Sequence, residues 1–213
     1  MADEAATGWE LVADNRRAFA DLVDWLSDEQ ADTASFCAGW TNRQVAGHVT
    51  SFVEVGMPSF MFNMVKAGFN YDKMSDRTAT RMAAIPLGDL ASTLRANAAK
   101  PSALGMFPPE MTLTDVTTHS QDIRRGLGLD ERPSDAAVRT SLEFITTHKM
   151  AKQVIDVKKL DGLAFEATDV EWSWGEGDPV TGTGEAVLMA IFGRDSYGEL
   201  EGAGVEILRD RNG

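Results

Sequence analysis

Apolar residues recur at helical spacing along most of the first three-quarters of the chain. Residues 9–26 carry Trp9, Val12, Phe19, Val23 and Leu26 in phase, which predicts a first amphipathic helix. Residues 27–40 form a polar connection that holds Cys37 and Gly39. Thr41 then stands where an N-cap is wanted, with Gln44 three residues on as its capping-box partner. The helix that follows presents Val45, Val49, Phe52 and Val53 on one stripe, and His48 lies on the same stripe. Pro58 ends or kinks it. The Met- and Phe-rich stretch 60–69 reads as a turn or short helix packed as core. Residues 70–78 read as a loop, and 79–99 as a helix interrupted at Pro86 and restarted by Leu87, Leu90 and Leu94. The segment 100–110, with prolines and Gly105, is a loop. Residues 113–128 put Leu113, Val116, Ile123 and Leu127 on one face, with Gly126 and Gly128 ending the helix. Ser134 caps a further helix reaching to about residue 153, with Val138, Leu142, Ile145 and His148 near one face.

Beyond residue 162 the pattern changes. LAFEAT, EWSW and DPVTG are short β-forming runs separated by Gly and Asp. GEAVLMAIFG (184–193) reads as a compact apolar helix, and 204–209 as a final short strand. The boundary is expected within 155–162. The fold class is mainly α, with a helical bundle over 1–157 and a small α+β domain over 158–213.

Polar residues on the buried stripe of 113–128 change the picture. Asp115, His119 and Asp122 fall on it, three and four residues apart. A buried carboxylate is costly unless it is paired or bound to a cation, and Asp115 and His119, one helical turn apart, can grip one ion together. The chain has three histidines, His48, His119 and His148, each on a different predicted helix. Inward residues on separate helices of a bundle can converge on one site, so the favoured ligand set is His48, Asp115 and His119. His148, flanked one turn away by Phe144 and Lys152, lacks such a pairing and reads as an ordinary core or surface histidine.

Composition adds limits. The 213 residues are 43% hydrophobic and 25% charged, with a net charge of −13, which argues against nucleic acid or an anionic membrane surface as partner. The acidic N-terminus has no apolar signal core, no apolar run approaches a membrane span, and the single cysteine allows no internal disulfide. A soluble cytoplasmic protein is expected, as a monomer or weak homodimer. No nucleophile elbow, P-loop or dinucleotide fingerprint is present, and Cys37 has no helix-paired histidine close to it in sequence. Met57, Phe60, Met61, Phe62 and Met64 suit an apolar pocket wall or plain core equally.

Four blocks in order, WTNRQVAGHV (40–49), THSQDIRRGLG (118–128), ATDVEWSWGEGDPVTGTGEAVLMAIFGR (167–194) and LEGAGVEIL (200–208), resemble the actinobacterial maleylpyruvate isomerase family of mycothiol-dependent proteins. The resemblance implies a DinB-like four-helix bundle followed by a small α+β C-terminal domain. It also implies a divalent metal, usually zinc, held by a histidine on the second helix and a carboxylate–histidine pair on a later one. Carried over, these are His48, Asp115 and His119; the best-known members have a glutamate where this chain has Asp115. The family's C-terminal arginine corresponds to Arg194, which would anchor a substrate carboxylate; Asp122 is expected to orient a metal-ligand imidazole or another group of the site. Arg124 and Arg125 are expected in structural ion pairs or interdomain contacts. The implied activity is addition of metal-activated mycothiol to an electrophilic small molecule, giving cis–trans isomerisation. The alternatives are a mycothiol S-transferase that detoxifies electrophiles and a non-catalytic member that binds a small molecule or a partner.

Overall fold

The computed structural model describes residues 2–103, 105 and 107–213, with side chains from Gly8 onward. Two positions of the expected loop 100–110 and the side chains of the acidic start therefore lie outside the described residues. The chain forms two compact units, Met1–Asp130 and Glu131–Gly213.

The first unit is built on α1 (Ala2–Trp25), α3 (Asn42–Glu54), α6 (Leu87–Ala96) and α7 (Pro109–Gly126). Helices α1 and α3 each pack against both α6 and α7, which closes a four-helix bundle. Its core joins Phe19 and Val23 of α1, Val45 and Val49 of α3, Leu90 and Leu94 of α6, and Val116 and Ile123 of α7. The expected stripes are thus the ones buried. The fourth helix is nonetheless α6, whose Leu90, Ala91 and Leu94 complete the core. The helix expected at 134–153 is shorter, α8 (Asp135–Thr147), and belongs to the second unit. The division between compact units accordingly falls after Asp130, before rather than after α8.

Three further differences have local causes. Residue Ser27 caps a single-turn α2 (Asp28–Ala31) through a complete capping box inside the expected connection. The expected loop at 70–78 is the first two turns of α5 (Tyr71–Met82): Asn70 accepts a hydrogen bond from the Lys73 amide at 2.8 Å. Its inward face is Met74, Ser75, Thr78, Ala79 and Met82, spaced as a helix but too small and polar to register as an apolar stripe. The Met- and Phe-rich stretch is α4 (Met57–Lys66), with Gly56 at its N-cap and Pro58 in its first turn. None of its residues is buried, and Phe62 is 60% exposed. Its neighbour Phe69, in a left-handed turn, is 68% exposed. The expectation of core is corrected here: α4 packs mainly along α5, on the outside of the bundle.

The second unit pairs β1 (Leu163–Ala167) with β2 (Trp172–Gly175) antiparallel and with β3 (Asp178–Gly182) parallel, in the order β2-β1-β3. Only Glu176 and Gly177 separate β2 from β3, yet the chain passes from one side of β1 to the other. Glycine makes this crossing possible. A Cβ on Gly175 would lie 2.3 Å from the Leu163 carbonyl oxygen and one on Gly177 2.0 Å from that of Gly162, and both residues have positive φ. Helix α9 (Gly184–Ile191), buried on all sides, packs against β1, β3 and α8. The chain ends in α10 (Gly204–Asn212), where a strand was expected. Val205 and Leu208, three apart, are its buried face, and Glu206 pairs with Arg209 one turn on at 2.8 Å. In so short a segment, helical and alternating patterns coincide. Among the described residues no helix is long and apolar enough to cross a membrane.

Candidate metal centre

The start of α3 is set as the sequence implied. Thr41 accepts a hydrogen bond from the Gln44 amide, and the Gln44 side chain returns one to the Thr41 amide. Two turns on, Gly47 lets α5 approach closely: a Cβ there would sit 2.8 Å from Met82 Cβ and 3.0 Å from the Ala79 oxygen. The close approach brings Ser75 of α5 to His48 of α3, with Ser75 Oγ 3.1 Å from His48 Nδ1.

Across the bundle, α7 supplies the remaining groups. His48 Nε2 lies 3.3 Å and His119 Nε2 3.7 Å from the same oxygen, Asp115 Oδ1. On its other side, His119 Nδ1 is 2.8 Å from Asp122 Oδ2, and Asp122 is 0% exposed. A carboxylate accepts, so Nδ1 donates to Asp122, and Nε2 is the nitrogen that faces Asp115. His48 is bonded at both nitrogens, Nδ1 to Ser75 Oγ at 3.1 Å and Nε2 to Asp115 Oδ1 at 3.3 Å; with Nε2 on a cation, Nδ1 would carry the proton and Ser75 would accept it. Two imidazole nitrogens and a carboxylate thus converge, each ring held from behind by another side chain, as metal-binding histidines are. These ligand atoms all lie within 4.8 Å of one another. The donor set fits a divalent cation with an open position.

Burial acts to raise the Asp115 carboxyl, but the two imidazoles and the Arg16 guanidinium overcome it and hold it below its ordinary value. Arg16 is itself fully buried, its Nη1 donating to the carbonyls of Ala98 (3.1 Å) and Lys100 (2.6 Å). Burial lowers its pKa to about 10 against the opposing pull of Asp115, and it stays charged at neutral pH. Trp40, just before the Thr41 cap, covers both histidines, with ring centroids 4.9 Å from His48 and 5.9 Å from His119. Its indole nitrogen donates to Asp76 at 3.2 Å. Phe52 meets His48 edge-on, and a narrow cleft beside that histidine is lined by Phe52, Phe60, Tyr71 and Met74.

His48, Asp115, His119 and Asp122 are therefore brought together. His148 is not among them. It caps the end of α8, stacks on Phe144 and accepts from the Met150 amide at 3.1 Å. Arg194 lies in the second unit after α9, its guanidinium donating to the Phe192 carbonyl at 3.0 Å. Arg124 bonds Ser120, and Arg125 lies over the Phe36 ring. Ser75 was not singled out from sequence, and Trp40 was noted only as the first residue of the block 40–49. Ser75 could have been found by reading Asn70 as a cap and counting small polar residues on the inward face of α5. Nothing in the sequence alone says that Trp40 covers the two histidines.

Fold and site together define a class: a helical bundle with a two-histidine, one-carboxylate centre, followed by a small α+β unit. Residues 12–99 match the family model of the mycothiol maleylpyruvate isomerase N-terminal domain. Two solved structures share the fold. A histidine-to-alanine mutant of the mycothiol-dependent maleylpyruvate isomerase is 12% identical with a TM-score of 0.57. The mycothiol-dependent maleylpyruvate isomerase itself is 13% identical with a TM-score of 0.54. Each match covers 95% of this chain and 93% of the other. A comparison with curated proteins finds no match.

Proposed function

We propose that the protein is a metal-dependent, mycothiol-using enzyme that adds the thiol to an electrophilic cis-olefinic acid and releases the trans isomer. The observation that carries this reading is the convergence of His48 Nε2 and His119 Nε2 on Asp115 Oδ1, at 3.3 and 3.7 Å. These three residues would hold the ion, and zinc suits two imidazoles and a carboxylate. The ion, when bound, supplies the Lewis acidity that makes a thiol a thiolate near neutral pH. Asp122 and Ser75 keep the two imidazoles oriented, and Trp40 shields one side of both rings from water. Arg194 provides a cationic partner for a substrate carboxylate. In the reaction, sulfur adds to an olefinic carbon and the π pair moves onto the conjugated carbonyl. The resulting single bond rotates, the pair returns, and the thiol leaves unchanged. The reading places the protein in the cytoplasm, where the thiol is kept reduced.

The test combines metal analysis with turnover. Protein purified without added metal is expected to carry about one equivalent, lost in His48→Ala. With mycothiol and maleylpyruvate it is expected to yield isomer without a stable adduct. A stable adduct with a panel of electrophiles would mark an S-transferase instead, and a fully metal-loaded protein with no turnover would refute the enzyme reading.

A further inference from the structure

A second group of potential ligands shares His119. Cys37, His119 and Asp122 each offer one ligand atom, and these atoms lie within 4.8 Å of one another. Cys37 comes from the connection between α2 and α3, far in sequence from α7, and the fold fixes it there at several points. The Phe36 amide donates to the Asp122 carbonyl at 2.8 Å. Gly126 admits the same loop against α7, since a Cβ there would lie 3.0 Å from Ser35 Cα and 3.1 Å from the Ala34 oxygen. Arg125 covers the Phe36 ring at 5.5 Å. Within the loop, Ser35 Oγ accepts from the Cys37 amide, and the Trp40 amide donates to the Cys37 carbonyl at 3.1 Å. Cys37 is half-buried and Asp122 fully buried, so the group sits at the inner end of a pinned loop.

We infer that Cys37, His119 and Asp122 form a second cation position, selective for thiophilic d10 ions, that borders the His48–Asp115–His119 centre. Thiolate, imidazole and carboxylate together favour soft or borderline cations over magnesium or calcium. Bond lengths of about 2.0–2.3 Å place tetrahedral ligand atoms about 3.3–3.7 Å apart, so the group closes on an ion by moving about 1 Å. Binding releases the Cys37 thiol proton to solvent as the sulfur–metal bond forms, and His119, ligating through Nδ1, gives up its hydrogen bond to Asp122 as that proton moves to Nε2. Because His119 belongs to both groups and Asp122 supports it in the first, an ion in the second position alters the support of the first. The inference goes beyond the proposed reaction and does not need it.

Cysteine content makes the test direct: Cys37 is the only cysteine, so any thiolate-to-metal charge-transfer band reports this residue. Cd2+ is titrated into the full-length protein while ultraviolet absorbance is followed. A saturable band is expected in the wild type and in His48→Ala, and none in Cys37→Ser. His119→Ala is expected to weaken Cd2+ binding at the thiol by at least tenfold, with Asp122→Asn as the second variant should His119→Ala not fold. Absence of the band in the wild type would overturn the inference, and so would affinity unchanged in both variants, since the thiol would then bind alone. Failure of the isomerase reading shows instead as a metal-loaded protein without turnover, whatever the cadmium band does.

Discussion

Replacing Asp122 by asparagine tests the centre with almost no change of shape. The wild-type carboxylate is fully buried and takes the His119 Nδ1–H at 2.8 Å. Asparagine can still accept that hydrogen through its amide oxygen, but without the charge. A charge-assisted hydrogen bond contributes about 1.5–3 kcal/mol and a neutral one about 0.5–1.5, so about 1–1.5 kcal/mol of support for the imidazole is lost. At about 1.4 kcal/mol per decade this is roughly tenfold in metal affinity. Burial strengthens the electrostatic part, which extends the expectation toward the 100-fold upper end seen for such outer partners. The assay is a competition titration against a chromogenic chelator, with the melting temperature of the metal-free variant as a fold control. An affinity within twofold of wild type, in a variant that melts normally, would refute the reasoning. It would mean that His119 does not bind through the nitrogen opposite Asp122.

Three further outcomes follow from the same contacts. Gly47→Ala gains about 1 kcal/mol of helix propensity, but its Cβ meets Met82 Cβ at 2.8 Å and backbone at 3.0 Å. Overpacking of about 1–3 kcal/mol should win, lowering the midpoint of chemical denaturation and, by shifting Ser75, weakening metal binding. Thr41→Ala removes a complete capping box and should lower stability by about 1 kcal/mol, read as a drop in the denaturation midpoint; no drop would mean that the cap is replaced by solvent. Metal at about 100-fold above its dissociation constant should add about 2.7 kcal/mol. At about 2–4 °C per kcal/mol, chelation should lower the melting temperature by roughly 5–10 °C in wild type and not in His48→Ala.

Local chemistry was the legible part of this chain. The Thr41–Gln44 cap, the stripes of α1, α3 and α7, the left-handed Gly128 after α7 and the three β-runs depend on residues a few positions apart, and the sequence shows those directly. Asp115 and His119 are one turn apart on one helix, so their pairing was legible too. Segments whose burial depends on size rather than on hydrophobicity were not. The small polar inward face of α5 looked like a loop, and the apolar α4 looked like core although it lies outside. Choosing α6 rather than α8 as the fourth bundle helix required knowing which stripes meet, because either carries a suitable one.

Partners distant along the chain came only with the tertiary structure. Ser75 reaches His48 because Gly47 leaves room for α5, and Trp40 covers two histidines from separate helices. Cys37 reaches His119 and Asp122 through a loop tied to α7 by a backbone hydrogen bond, an absent Cβ and the Arg125–Phe36 contact. The sequence by itself determined which residues could be ligands, because donor chemistry and helical spacing are local properties. The structure decided which of them face one another and what holds each imidazole in place, because those depend on close approaches between helices that no single stretch of sequence contains.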